Sequence, residues 1–155
     1  MPGRIDARLA ELKIALPNAG APAANYVPFV RTGNLLVMAG QVCQWNGERR
    51  FIGKLGREFS IEQGQEAARL CALNLLAQAK AALAGDLDRI VRCVRLGGFV
   101  NSTADFLDQP RVVNGASDLM VELLGDAGRH ARTAIGTNVL PFDLAVEVDA
   151  IFEVK

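Results

Sequence analysis

Apolar residues recur along this chain with two periods, and the switches between them outline the elements. Ile5, Leu9, Leu12 and Leu16 fall at helical spacing, which predicts a short amphipathic helix ending near Pro17. Asn18 to Ala24, with Gly20 and Pro22, reads as an irregular connection. Short strands are predicted around Val27–Arg31 and Leu35–Ala39, joined through Thr32-Gly33-Asn34 as a hairpin. Leu35 to Ala39 is apolar at every position, as expected of a strand covered on both faces. Trp45 to Phe59 is rich in glycine and charge and reads as a loop. Ser60-Ile61-Glu62-Gln63 has the form of a capping box, and the helix it opens carries Ala68, Cys71, Leu75, Leu76, Ala79 and Leu83 on one stripe before Gly85.

A long strand follows from Ile90 to Val100, with Gly97 and Gly98 marking a bulge or a close backbone approach. Gln109-Pro110 opens a second helix over about Val112–Leu124. Strands around Thr133–Asn138 and Ala145–Val154 complete the chain. On the last one Val146, Val148, Ala150, Phe152 and Val154 point one way, and Glu147, Asp149, Ile151 and Glu153 the other. After the first helix the order is β-β-α-β-α-β-β, an α+β class with two helices on one face of a mixed sheet. Apolar positions on the second face call for a further cover, most simply identical subunits.

Composition narrows the function classes. The 155 residues suit one domain with a sizeable core, and half of them are hydrophobic. Seventeen Lys plus Arg balance seventeen Asp plus Glu, so no basic surface offers itself to a phosphate backbone, which weighs against nucleic acid as a partner. Cys43, Cys71 and Cys93 are widely spaced, with no CxxC pair and a single histidine, His130, so no metal site is expected. Cys71 and Cys93 read as core residues. No membrane span or signal peptide is read, which predicts a cytoplasmic protein without disulfides.

The candidate chemistry lies in the last quarter. Arg132 sits among small and apolar residues, where a guanidinium is costly unless an anion meets it. Its planar fork suits a carboxylate; an ion pair holding the fold together is the other reading. Glu147, fifteen residues on, lies in an alternating apolar run, either handling a proton or water at a site or facing solvent with Asp149 and Glu153. Tyr26 and Asn114 read as readily as packing and capping residues. A nucleophilic role for Cys43 would need His130 beside it, and nothing in the sequence links the two.

Several motifs, taken in order, resemble the RidA/YjgF family of reactive intermediate deaminases, older members of which were called L-PSP endoribonucleases. Asn25-Tyr26-Val27 is similar to the family's Gly-Pro-Tyr segment and Ala39-Gly40-Gln41 to its Ser-Gly-Gln. Asn114 matches its helix asparagine, and Ala131-Arg132-Thr133 resembles its Pro-Ala-Arg-Ser. Leu140-Pro141 and Val146-Glu147-Val148 resemble its Leu-Pro and Ile-Glu-Ile. The resemblance covers residues 22–155 as one domain, with 1–21 as an added helical extension.

It implies a chorismate-mutase-like fold, a homotrimeric barrel with sites between subunits, and no cofactor. It also implies hydrolysis of small enamine or imine acids, such as 2-aminoacrylate, to 2-keto acids and ammonia. Arg132 would hold the substrate carboxylate, Glu147 would handle the water, and Tyr26, Gly40, Gln41, Asn114 and Ala134 would line the site, with Cys43, just after Gly40-Gln41, near the cleft. A pocket that binds a keto acid without catalysis, and the endoribonuclease of the older name, are the alternatives. The chain departs from the pattern at Ala39, where serine is usual, at Ala134, where cysteine is common, in the charged loop from Glu48 to Glu58, and in an insertion around Leu107–Arg111.

Overall fold

The alternation on the last strand is the axis of the fold. The computed structural model describes residues 3–155. In it the strand β7 (Val146–Val154) runs down the middle of a five-stranded sheet, with every even residue buried and every odd residue half-buried. Its neighbours are β2 (Leu35–Val42) and β5 (Ile90–Asn101), both antiparallel to it. Outside them lie β1 (Phe29–Thr32), antiparallel to β2, and β6 (Ala131–Thr137), parallel to β5. The order β1-β2-β7-β5-β6 leaves β6 at one edge and β1 at the other.

Two helices cover one face: α2 (Ile61–Ala82) lies over β2 and β7, and α3 (Gln109–Leu124) over β5 and β6. The predicted capping box is present, with Ser60 Oγ accepting from Gln63 N–H at 3.2 Å and Gln63 Oε1 from Ser60 N–H at 2.9 Å. Leu36, Met38, Leu96, Val100 and the even residues of β7 join one core with the inner stripes of both helices. Gly98 is a close approach, because a Cβ there would press into the Val113 side chain. The register irregularities of β5 fall instead between Ile90 and Arg92 and between Cys93 and Arg95. This is the α+β arrangement of two helices on one face of a mixed sheet that the sequence predicts.

Three expectations change. The first helix, α1 (Arg4–Glu11), stops well before Pro17, because Leu12 leaves the helix and Lys13 takes φ 55. Leu35 and Val37 are partly exposed, so β2 is covered on its helix side alone. The charged loop contains a small hairpin, β3 (Gln44–Trp45) and β4 (Glu48–Arg49), closed by Asn46 at φ 50 and Gly47 at φ 85.

The α1 helix lacks a cap of its own. Asp88 supplies one from a distance, accepting from Arg4 N–H at 2.6 Å and Ile5 N–H at 2.9 Å. These bonds hold the Asp88 carboxyl below its ordinary range, chiefly through the Ile5 amide. Asp88→Ala is expected to cost about 1 kcal/mol, the usual worth of such a cap. It should also make the α1 amides exchange faster than those of α2. Unchanged exchange in α1 would contradict this.

No helix among the described residues is long and apolar enough to cross a membrane.

Candidate functional site

Glu147 projects from the sheet face opposite the helices. Its position is set by pairing with Val42 at the end of β2, just beyond an irregularity between Met38 and Gln41. A Cβ on Gly40 would collide with the Glu147 carboxyl, so glycine is what lets the carboxyl lie over the β2 backbone. Burial, and secondarily the charge of Asp149, push the Glu147 carboxyl above its ordinary value of 4.5. Asp149 is itself paired with Arg95 at 3.2 Å.

The carboxyl opens into a cavity of about 490 Å³. Tyr26, Gly40 and Gln41 line it together with Glu147. Half of the Tyr26 surface is exposed there. The cavity extends further than the predicted residues. Its far walls are Gly20–Ala24, Gln44 and Gln78, and Arg49 and Phe142 stand at one side. The connection before β1 is tied down by Gln78, whose Nε2 donates to the Gly20 carbonyl at 2.7 Å.

Arg132, Asn114 and Ala134 form a second group elsewhere in the chain. Arg132 pairs in register with Leu96, and Leu96 with Ala150, so its side chain starts on the helix face of edge strand β6. Glu147 starts on the opposite face, two strands away. Arg132 Nη1 donates to Asn114 Oδ1 at 2.9 Å and to Ser117 Oγ at 3.1 Å, and Nη2 donates to the Pro110 carbonyl at 3.1 Å. No carboxylate pairs with it among the described residues, so the ion-pair reading finds no partner. Its Nε–H has no acceptor there, and Nη2 makes a single bond. The guanidinium is held by α3 with two donors to spare. Ala134 lies on the same face and packs against the core.

The cysteine expectation is corrected. Cys43 is fully buried and faces the core rather than the cleft, with its thiol beside Cys71 and donating to the Arg50 carbonyl at 3.2 Å. A β-strand sends alternate side chains to opposite faces, so Val42 and Gln44 reach the cavity and Cys43 turns away. His130 is apart from it. His130 Nδ1 is 2.6 Å from the Gly128 carbonyl and Nε2 is 2.9 Å from Ser117 Oγ. The imidazole therefore buttresses the serine that holds Arg132. Among the described residues no group of three His, Cys, Asp or Glu could hold a metal ion.

Sequence reasoning missed Ser117 and His130 as supports of Arg132, and Arg49, Phe142, Gln44 and Gln78 as cavity walls. The pairing of Arg49 with the cavity had one usable signal, the Asn46-Gly47 dipeptide that turns the β3–β4 hairpin. Phe142 had none, since a bulky aromatic residue gives no warning of a left-handed backbone.

Comparison with known proteins agrees with this architecture. Residues 6–153, a span that takes in most of α1, match the family described as "YjgF/chorismate mutase-like, putative endoribonuclease". The chain is 48% identical over 154 residues to the Trypanosoma cruzi protein TCP17, covering 99% of this chain and 96% of that one. The crystal structure of an Agrobacterium tumefaciens protein of unknown function is 49% identical, with a TM-score of 0.91 over 98% of this chain and 93% of that one. A Shewanella oneidensis structure with the same endoribonuclease description is 34% identical, with a TM-score of 0.93 over 97% of this chain and 99% of that one. With a family match over nearly the whole chain and relatives this similar along its length, the chain belongs to the YjgF/RidA family.

Proposed function

We propose that the protein is a homotrimeric hydrolase of small 2-imino and 2-enamino acids, releasing the 2-keto acid and ammonia. The observation that carries the reading is the Glu147 carboxyl, partly desolvated over Gly40 at the wall of a cavity large enough for a metabolite. A carboxyl held above its ordinary range by burial is suited to take a proton from a water and to give it back. The water adds to the carbon of the protonated imine while Glu147 takes one of its protons, and the carbon–nitrogen double bond becomes a carbinolamine. Glu147 returns that proton to nitrogen, the carbon–nitrogen bond breaks as the hydroxyl proton passes to Glu147, and ammonia and the keto acid are released. The uncatalysed reaction already proceeds in water, so holding the substrate and one water in register is the main task.

The trimer completes the site. Arg132 and Glu147 lie on opposite faces of one sheet, so one chain cannot bring both to one substrate. Edge strand β6 has no neighbour beyond it, and Val37, Ile135 and Ile151 leave apolar surface on the uncovered face. Docking that face and edge against identical copies buries this surface and brings Arg132 of one subunit toward the Glu147 cavity of the next. There its two free donors grip the substrate carboxylate. The reading treats residues 3–155 as one unit in which α1 and the connection after it brace the core and wall the cavity.

Light scattering is expected to give about three times the 16.6 kDa chain mass. The purified protein should speed the decay of 2-iminobutyrate released by threonine dehydratase, and Arg132→Ala should remove at least about 90% of that acceleration. Decay no faster with protein than without it would sink the hydrolase reading. The RNA-cleaving alternative has less support, since the chain carries zero net charge.

A further inference from the structure

The cavity contains a cation that the proposed reaction does not use. Arg49 is the last residue of β4 and the one cation lining the cavity among the described residues. Its neighbours Glu48 and Arg50 pair with each other at 3.7 Å. Arg49 itself has no carboxylate or carbonyl partner among the described residues. Its guanidinium lies over the Phe142 ring instead, with Cζ 3.4 Å from the ring centre.

The ring is presented at a cost. Phe142 has φ 59 and Asp143 φ 56, a left-handed conformation that a bulky residue such as Phe142 adopts only under constraint. The surrounding loops hold it there. The Asp143 carbonyl accepts from Gly53 N–H at 2.7 Å, its carboxylate from Asn101 Nδ2 at 2.9 Å, and Asp143 N–H donates to the Leu140 carbonyl at 2.9 Å. Phe142 is thereby kept 57% exposed at the cavity wall. A flat ring under a guanidinium covers one face of it and leaves the in-plane donors at its edge for a planar anion. Gln44 and Gln78 add polar amides to the same cavity. The volume of about 490 Å³ also far exceeds what a four-carbon monoacid fills.

From these observations we infer that the Arg49–Phe142 stack is a second carboxylate anchor, and that the preferred substrates are imino acids with a second carboxylate on the side chain. Imines of the aspartate and glutamate type fit this description. The inference rests on the hydrolase reading for its reaction but not for its binding. Glu147 attacks through water at the imine carbon near one end, and Arg49 holds the far carboxylate, replacing its hydration with a stacked, preoriented fork.

The test uses the full-length trimer and two readouts. Imines of glutamate and of 2-aminobutyrate are generated in situ by an amino-acid oxidase, and their decay is followed by trapping with semicarbazide. The ratio of kcat/KM, diacid over monoacid, is expected to exceed ten for the natural protein and to fall at least ten-fold in Arg49→Gln and several-fold in Phe142→Leu. Separately, calorimetry should show 2-oxoglutarate binding at least ten-fold tighter than 2-oxobutyrate, a preference that Arg49→Gln removes. If Arg49→Gln leaves both ratios unchanged, the second anchor is wrong while the hydrolase reading stands. If no imine decays faster but the Arg49-dependent preference for the diacid persists, the anchor stands and the hydrolase reading falls.

Discussion

Glu147→Gln is expected to remove imine hydrolysis almost completely while making the folded protein more heat-resistant at neutral pH. The two effects have one cause. The amide cannot take a proton from water, and acid–base assistance of this kind is worth about 10²–10⁴-fold in rate. The stability effect follows from the raised pKa. Burial, and then Asp149, favour the neutral carboxyl in the folded chain, whereas the unfolded chain ionises near 4.5. Below that pH both states are protonated and the group contributes no difference. As pH rises through the window between 4.5 and the higher folded value, the unfolded state sheds its proton first and stability falls. Glutamine has the shape without the charge, so the variant escapes this loss. Thermal scans should therefore show equal melting at about pH 4 and a Tm advantage for Glu147→Gln at pH 7. The activity of the natural protein should fall on the acid side as pH drops through the raised Glu147 value, at a pH above 4.5. A variant that keeps its rate, or that melts lower at pH 7, would remove Glu147 from the centre of the site.

Much of this was legible in the sequence because it depends on periodicity. The two-residue alternation of β7 gave both the buried row and the face of Glu147, and the Ser60–Gln63 box placed the start of α2 to the residue. Gly40 and Glu147 could be paired from a family resemblance, but the reason for the glycine is a cross-strand contact that no local pattern encodes. The same limit explains Cys43. Its place beside Gly40-Gln41 suggested the cleft, while the parity of the strand past its irregularity turned the thiol into the core. Arg132 was legible as a lone cation, yet its separation from Glu147 within one chain depends on the sheet order, with β5 inserted between β7 and β6. Strand order is a long-range choice, and the fifteen-residue interval between the two side chains says nothing about it. The hairpin at 44–49 was hidden by composition: charge and glycine read as loop, though Asn46-Gly47 carried the turn.

Gly115→Ala sets two local rules against each other, and the structure decides which wins. Helix propensity favours alanine over glycine in the middle of α3 by about 1 kcal/mol. Packing opposes it, because a Cβ at Gly115 would land on the backbone carbonyl of Gln65 in α2, far inside van der Waals contact. The obstruction is main chain on both sides and no rotamer change relieves it, so the helices must separate. Gln65 Nε2 donates to the Arg111 carbonyl at 2.8 Å and Arg69 bonds Glu122 through both nitrogens at 3.3 and 3.0 Å, so the separation strains contacts at both ends of the pair. Overpacking of this kind costs about 3 kcal/mol, which outweighs the propensity gain and leaves a net loss near 2 kcal/mol. For a domain of this size that is a fall in Tm of roughly 4–8 °C. Asp118→Ala, on the exposed side of the same helix, supplies a propensity gain without the clash and should raise Tm slightly. The consequence extends to the site, because Gly115 lies between Asn114 and Ser117, the two α3 residues that hold Nη1 of Arg132. Moving α3 outward draws both acceptors away from the guanidinium. Gly115→Ala should therefore raise KM for the imino acid more than it lowers kcat, even well below its melting temperature. A Gly115→Ala protein that melts above the natural one would show that α2 and α3 do not approach as closely as the Gln65 contact requires.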